Sequence, residues 1–181
     1  TFNKLAKELA LKGISCPLRV RVDTDMKNTK QHRVYIQGPG VILPDASYYK
    51  PEMAQQKEMI MGIWVNVARM ILAKSNLTPE EQNKYLEDTL AFDSILGNLV
   101  KTSEEWSEYV NMYNPMSVEE VSSLLSTIDF KAILNDLFGF VPETIIVSEP
   151  RYFENFASVF NNETFEQYKH WAYVNGLINS C

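Results

Sequence analysis

Three closely spaced helix-start signals constrain the fold of this chain most. A threonine or serine stands three residues before a glutamate at residues 78–81, 102–105 and 117–120. In such a capping box the hydroxyl accepts an amide proton of the first helical turn, and the glutamate carboxylate accepts the amide proton of the cap residue. Three starts that fall within 40 residues leave room only for helices joined by tight turns. The sequence therefore predicts a mainly α fold, a multi-helix domain.

Apolar spacing places the remaining elements. Periods typical of helices predict helices over residues 2–11, 51–74, 79–99, 129–138, 148–160 and 165–177. The helix that follows Thr78 should bury the apolar residues Tyr85, Leu86, Leu90, Phe92, Leu96 and Leu99. Alternating apolar and polar residues at 18–23 and 33–37 predict one small β-hairpin at about residues 18–38, with a polar loop at 25–30. Residues 144–147 are β-rich and predict a short strand.

Composition limits the classes of partner. The formal net charge is −6, but residues 1–74 carry 12 Lys/Arg and 6 Asp/Glu, and the remainder carries 5 and 17. The basic residues of the first part are scattered, so the sequence predicts no nucleic-acid partner. No apolar run reaches the roughly 18 residues that a membrane helix needs, so we expect no membrane segment in this chain. The first residue is not methionine, and a predicted helix runs up to Cys181, so we expect a fragment cut at both ends. The absence of a visible signal peptide therefore says little about the parent protein.

A search for catalytic chemistry finds no site. The two histidines, His32 and His170, are 170 − 32 = 138 positions apart, whereas a metallopeptidase helix needs two histidines four residues apart. His32 is expected in the hairpin loop and His170 on the last helix. The two cysteines, Cys16 and Cys181, form no C-x-x-C motif, and two free thiols are the default interpretation, with a disulfide left open. We therefore predict no catalytic, cofactor-binding or metal-binding residue in this chain.

The segment G-V-I-L-P-D-A-S-Y-Y at residues 40–49 carries a family resemblance. It resembles the G-L-x-L-P-S/D-x-x-Y-Y segment of the neprilysin-like zinc metallopeptidases, of the bacterial oligoendopeptidase O type. Each part of the segment has a structural role. Pro44 holds Leu43 extended, and Asp45 can cap a short turn. The two tyrosines can then pack that turn against the helix that begins at Pro51.

Other segments agree with this family in sequence order. They are V-D-T-D-M-K-N at 22–28, Y-N-P-M-S at 113–117, I-D-F at 128–130, V-S-E-P-R-Y-F at 147–153 and T-F-x-x-Y-x-x-W at 164–171. Ile42 replaces a usual glycine and Phe130 a usual tryptophan, and both departures are expected to be structural. The family's H-E-x-x-H zinc helix and its other catalytic motifs do not occur in these 181 residues, so no catalytic role is carried over to any position.

The resemblance implies a fragment of the N-terminal helical domain of a zinc-dependent endopeptidase that cleaves oligopeptides. In that family a catalytic domain faces a helical domain across a closed chamber, so the helical part is expected to act as a non-catalytic lid. It implies zinc in the parent protein and none in this fragment. The catalytic zinc domain of the same polypeptide and oligopeptide substrates are the implied partners. The alternative is a stand-alone helical binding or scaffold module without protease activity. The compartment stays open, since a sparse cysteine content favours a bacterial, reducing setting but does not exclude a secreted or cell-surface protein.

Overall fold

The computed structural model describes residues 2–12 and 16–181, which form a mainly α fold with one small sheet, as predicted. The α-helices of this part of the chain are α1 (Phe2–Leu11), α2 (Ala54–Leu72), α3 (Pro79–Gly97), α4 (Ser103–Ser107), α5 (Val118–Leu124), α6 (Phe130–Phe138), α7 (Pro150–Glu154), α8 (Phe156–Val159) and α9 (Phe165–Asn179). The strands are β1 (Arg19–Asp25), β2 (Asn28–Gln37), β3 (Pro115–Ser117) and β4 (Thr144–Val147). Among the described helices, none is long and apolar enough to cross a membrane.

The chain divides into two compact units. Unit 1 contains residues 1–40 and 99–162, and unit 2 contains residues 41–98 and 163–181. Unit 1 therefore holds the sheet and six short helices of the described chain, whereas unit 2 is built from α2, α3 and α9. Each unit is assembled from segments that are distant in sequence.

The sheet of unit 1 has the strand order β1-β2-β4-β3. β1 and β2 form the expected hairpin, with Val22 opposite Val34. β4 then pairs with β2 in parallel, and β3 pairs with β4 antiparallel. The β-rich segment 144–147 thus forms the predicted strand, while β3 was not predicted because three residues carry too little periodicity to identify a strand.

The hairpin turn is tighter than the sequence indicates. Both strands continue through the predicted polar loop, so only Met26 and Lys27 connect them. The buried carboxylate of Asp25 explains this turn, since it accepts hydrogen bonds from the Lys27 amide at 2.8 Å and from the Tyr113 hydroxyl at 3.2 Å. The expectation that His32 lies in the loop is wrong: His32 is an exposed residue of β2, opposite Thr24.

Aromatic side chains form the core of unit 1 beside the sheet. Tyr152 and Phe153 on α7 and Phe156 on α8 are fully buried, as the predicted inward face requires. Phe2 of α1 stacks on Phe160 with ring centroids 5.6 Å apart, and Phe156 lies 4.9 Å from Phe160. The predicted single helix is divided into α7 and α8, and its first residues run directly from β4, which fixes this aromatic cluster next to the sheet.

Unit 2 is a three-helix arrangement in which α3 packs along α9. Of the six apolar residues predicted to be buried after Thr78, three are buried (Leu86, Phe92 and Leu96) and three are half-buried (Tyr85, Leu90 and Leu99). On α9 the buried side chains are Tyr168, Trp171 and Val174. α2 contributes a narrow buried stripe of Met61, Ala68 and Leu72. The helix starts follow the sequence signals: Thr78 and Thr102 form complete capping boxes, whereas Ser117 accepts from the Glu120 amide only.

Candidate functional site

A fully buried carboxylate, Asp93, organises unit 2. It lies on the inner face of α3 with an exposed fraction of 0%. Its Oδ1 atom accepts the Ile42 amide at 3.0 Å and the indole Nε1 of Trp171 at 3.1 Å, and its Oδ2 atom accepts the Tyr49 hydroxyl. Asp93 thus joins three segments of unit 2: the residues before the 3-10 turn, the turn itself and α9. Because a buried charge is costly unless it is hydrogen-bonded, these bonds are required for the fold.

The residues 40–49 fold into the turn that delivers Tyr49 to Asp93. The Asp45 side chain accepts from the Ser47 amide and caps a 3-10 helix, Ala46–Tyr49. The Tyr49 hydroxyl also accepts the Leu43 amide at 3.2 Å, which closes the segment on itself. The ring of Tyr49 lies against Gly97 at the end of α3, where a side chain would collide with it. Tyr49 is buried and Tyr48 is half-buried against the same cluster, as the resemblance predicts for structural tyrosines.

Burial governs the protonation of this pair. It raises the pKa of the Asp93 carboxyl, although the hydrogen bonds from Tyr49, Trp171 and Ile42 act in the opposite direction. Burial and the adjacent Asp93 also raise the pKa of the Tyr49 hydroxyl, which therefore keeps its proton. A perturbed carboxyl can indicate an acid or base catalyst. Here both oxygens are occupied by unit 2 itself and no solvent reaches them, so the geometry supports a structural brace.

A second buried carboxylate, Glu149, organises unit 1. It is 2% exposed and accepts the amides of Gly38 and Lys101, each at 2.8 Å. Burial raises the pKa of the Glu149 carboxyl, and the two amides act against that shift. Glu149 directly precedes α7, whose start was predicted at Ser148 or Glu149, but the Glu149 side chain does not cap the helix. It instead connects the end of β2 to the residues that lead into α4.

Arg151 braces the same junction from the other side. Its Nε atom donates to the Leu99 carbonyl at 3.0 Å, and Nη2 donates to the Val100 carbonyl at 3.0 Å. Its two Nη atoms also bind both oxygens of Glu105 at 3.1 and 3.0 Å. The hydrogen bonds from Arg151 hold the pKa of the Glu105 carboxyl below its usual value. The P-R-Y-F part of the motif at 147–153 thus supplies a planar donor for two backbone carbonyls and one carboxylate, which lysine could not replace.

The residues that the structure describes do not fit a zinc site. Zinc in proteins takes three or four ligands from His, Cys, Asp and Glu, and residues 2–12 and 16–181 contain no group of three or more such side chains placed to hold a metal ion. His32 belongs to unit 1 and His170 to unit 2. The Nδ1 atom of His170 lies 2.6 Å from Asp88, and its ring stacks on Tyr85 with centroids 3.9 Å apart, so this histidine serves packing. Neither Cys16, which is buried, nor Cys181, which is exposed, takes part in a disulfide bond.

One concave surface of unit 1 could accept an apolar group. A cleft of about 520 Å³ lies between the hairpin and the segment after α6. Its lining is apolar at Val22, Val34, Phe138, Phe140 and Pro142 and polar at His32, Arg33, Glu143 and Thr144. Pockets that combine an apolar lining with a few polar groups are the usual form of a binding site. The cleft therefore has the mixed lining of a binding surface.

Sequence reasoning missed Asp93 but identified two of its partners, and it placed Glu149 in a motif without identifying what that carboxylate binds. Tyr49, Tyr168 and Trp171 were recognised as motif residues, and the structure brings Tyr49 and Trp171 together at Asp93. Asp93 itself was not singled out, although one signal was available. It stands directly after Phe92 and three residues before Leu96 on a face predicted to be buried, and a charged residue on such a face must have hydrogen-bond partners.

Comparisons with known proteins agree with this picture. A family model described as peptidase family M13 matches residues 1–180. The "Neutral endopeptidase" of Lactobacillus helveticus is 33% identical over 180 residues, which are 99% of this chain and 27% of that protein. A "Putative zinc metalloproteinase in scaA 5'region" of Streptococcus gordonii is 28% identical over 157 residues, or 85% of this chain and 28% of that protein.

A solved structure shows the same fold. The crystal structure of PEPO from Lactobacillus rhamnosis HN001 superimposes with a TM-score of 0.83 at 21% identity, and covers 97% of this chain and 28% of that one. The chain thus spans about a quarter of the length of the relatives that it matches. Because the family match runs over residues 1–180, this chain belongs to peptidase family M13, which confirms the neprilysin-like resemblance of its motifs.

Proposed function

We propose that this chain is the non-catalytic helical lid of a zinc-dependent endopeptidase that cleaves oligopeptides. One observation carries the proposal: the family match covers essentially the whole chain, yet only about a quarter of each relative, and the described residues do not fit a metal centre. The relatives' names, neutral endopeptidase and zinc metalloproteinase, place such activity in proteins of this family. The zinc and the catalytic residues then belong to the catalytic domain of the same polypeptide.

The two buried carboxylate sites support a mechanical role. Asp93 and Glu149 each join segments that are far apart in sequence, and neither is accessible to a substrate. A lid needs this kind of rigidity, because its contribution to catalysis is to exclude water and bulky substrates and to orient the peptide. It supplies no proton and no metal ligand. The apolar cleft beside the hairpin is a surface on which a peptide side chain could rest.

The test of the lid compares the cleavage of substrates that differ in size and flexibility. The full-length polypeptide should cleave a short fluorogenic peptide and should spare the same cleavage sequence when it is placed in a loop of a stably folded protein. The matched control is that host protein in unfolded form, which should be cleaved again. A lid that encloses a chamber predicts this order, since only a flexible chain can enter.

The 181-residue chain alone provides the second arm of the experiment. It should neither hydrolyse the peptide nor bind Zn²⁺ with one-to-one stoichiometry at micromolar affinity in a calorimetric titration. Zinc-dependent turnover by this chain would disprove the non-catalytic assignment. Equal cleavage rates for the folded host and the short peptide would disprove the sieve. A full-length polypeptide without any peptidase activity would favour the binding or scaffold alternative.

A further inference from the structure

The sheet of unit 1 ends in an edge strand of seven residues, β1. Among the described residues only β2 pairs with it, so the backbone groups on the other side of β1 have no strand partner there. The strand contains no proline, and its pairing with β2 is regular from Arg19 to Thr24. The opposite edge is less open, because β3 has three residues and begins with Pro115, which has no amide proton. An unpaired edge as long as β1 is a template for another strand.

The charges of β1 make the strand complementary to itself. Its sequence is R-V-R-V-D-T-D, with the arginines before Val22 and the aspartates after it. When two copies of β1 pair antiparallel with Val22 opposite Val22, each Arg21 stands opposite an Asp23. Opposite charges placed directly across two strands stabilise the pair, whereas like charges destabilise it. A shift of two residues, the smallest that keeps the strand faces matched, would put Arg21 opposite Arg21 or Asp23 opposite Asp23.

The side chains that this pairing uses are accessible in the single chain. Arg21 and Asp23 form an ion pair at 2.8 Å, and their side chains are 32% and 57% exposed. Such an exposed pair contributes little to the stability of one chain, so exchanging it for the same pair across two chains costs little. Val22 is 50% exposed. Asp25 differs, since it is 3% exposed and binds Arg33 at 3.1 Å, so it stays within its own hairpin.

We propose that two copies of this protein associate through β1, antiparallel about a twofold axis at Val22, and join their four-stranded sheets into one continuous sheet. The same three residues, 21–23, then face each other from both copies, as a twofold contact requires. One strand pair buries less surface than a standard interface of about 1,600 Å², so the dimer should be weak and should form at micromolar concentrations or above. The inference goes beyond the lid role and does not depend on it.

Exchanging the charges tests the pairing. In a dimer of the full-length polypeptide, Arg21→Asp places two aspartates opposite each other at two positions, and Asp23→Arg does the same with two arginines. Each variant alone should self-associate at least about tenfold more weakly than the wild type in sedimentation equilibrium. An equimolar mixture of the two variants should restore association, because every cross-strand pair then joins an arginine to an aspartate. The ion pair within each chain stays broken in the mixture, so its loss cannot explain the rescue.

The control for net charge is Lys74→Asp. Lys74 is exposed and belongs to unit 2, and its substitution changes the charge by the same amount as Arg21→Asp. This control should associate like the wild type. A mixture of Arg21→Asp and Asp23→Arg that associates no better than the separate variants would overturn the proposal. A wild-type polypeptide that stays monomeric at about 100 μM would overturn it as well, since another segment of the same chain would then cover the edge.

A cross-link measures the register of the two strands. In the Cys181→Ser background, Val22→Cys places two thiols directly opposite each other, where the Cα atoms of an antiparallel pair are about 4.5–5.5 Å apart and a disulfide can form. Thr24→Cys lies on the same face, but in this register its two Cα atoms are about 13 Å apart along the strands and cannot be bridged. Mild oxidation should therefore cross-link the first variant and spare the second. Equal cross-linking of both variants, or of neither, would overturn the proposal.

Discussion

Replacing Gly97 by alanine should destabilise unit 2, although alanine is the better helix former. Gly97 is the last residue of α3, and a Cβ atom there would lie 2.3–2.5 Å from three ring carbons of Tyr49. Nonbonded carbon atoms are most stable about 3.5–4.0 Å apart. The ring or the helix end would therefore have to move by about 1 Å or more. The Tyr49 hydroxyl opposes that movement, because it donates to Asp93 and accepts the Leu43 amide at 3.2 Å.

The size of the stability loss follows from one favourable and two unfavourable contributions. Alanine gains at most about 1 kcal/mol of helix propensity over glycine. Overpacking a core costs about 1–3 kcal/mol, and displacing the ring weakens a buried hydrogen bond to a charged group, which is worth about 1.5–3 kcal/mol. The expected net loss is therefore about 2–3 kcal/mol. For a chain of this size it corresponds to a fall in melting temperature of roughly 5–10 °C.

Tryptophan fluorescence can follow this loss in unit 2. Trp64 and Trp171 belong to unit 2, and the Trp171 indole is itself bonded to Asp93. The matched control is Gly176→Ala on α9, where an added Cβ meets nothing within 4 Å. That control should raise the melting temperature slightly. If Gly97→Ala also raises it, the ring of Tyr49 is free to move aside and the argument from the close contact fails.

Two further predictions concern the charged braces. Asp93→Asn should remove a pH dependence: burial raises the pKa of the folded carboxyl above its unfolded value, so the carboxyl's stabilisation is fully present below about pH 4 and is lost as the pH rises through the folded pKa. The melting temperature of the wild-type chain relative to Asp93→Asn should therefore fall as the pH is raised from about 4 to neutrality, and a constant difference would contradict this. Arg151→Lys should lower the free energy of unfolding, measured by urea denaturation, by about 1–2 kcal/mol after allowance for the partial exposure of Arg151. One ammonium group cannot replace a guanidinium that binds two carbonyls and Glu105. The control Arg69→Lys breaks a single exposed bond to Asn83 and should change stability by less than about 0.5 kcal/mol, so equal losses for the two variants would refute the argument.

Local signals explain the part of the fold that the sequence predicts. Thr78 and Thr102 cap their helices through residues three positions away, and the hairpin pairs strands that are neighbours in sequence. The parallel pairing of Ile36 with Val147 joins residues that are 111 positions apart, and no local pattern encodes it. For the same reason the sequence identified motif residues such as Tyr49 but not the distant carboxylate that binds them.

The orientation of α2 was also beyond local reasoning. Ile63 and Val67 belong to the periodic apolar pattern that predicted this helix, and both are exposed in the structure. The helix carries apolar residues on more than one side, so their periodicity predicts that a helix forms but not which of its faces is buried. A helix of this kind is typical of one that packs on two sides.

The division of unit 2 between two distant segments also determines when it can form during synthesis. α3 leaves the ribosome before unit 1 is complete, and the 64 residues 99–162 separate its segment from the one that carries α9. At about 5–20 residues per second, α3 waits roughly 3–13 s for its main partner. During that time Asp93 lacks the indole of Trp171, and the apolar face around Phe92 and Leu96 stays open to solvent. For those seconds the nascent chain exposes an apolar helix face, which is the kind of surface that promotes aggregation during folding.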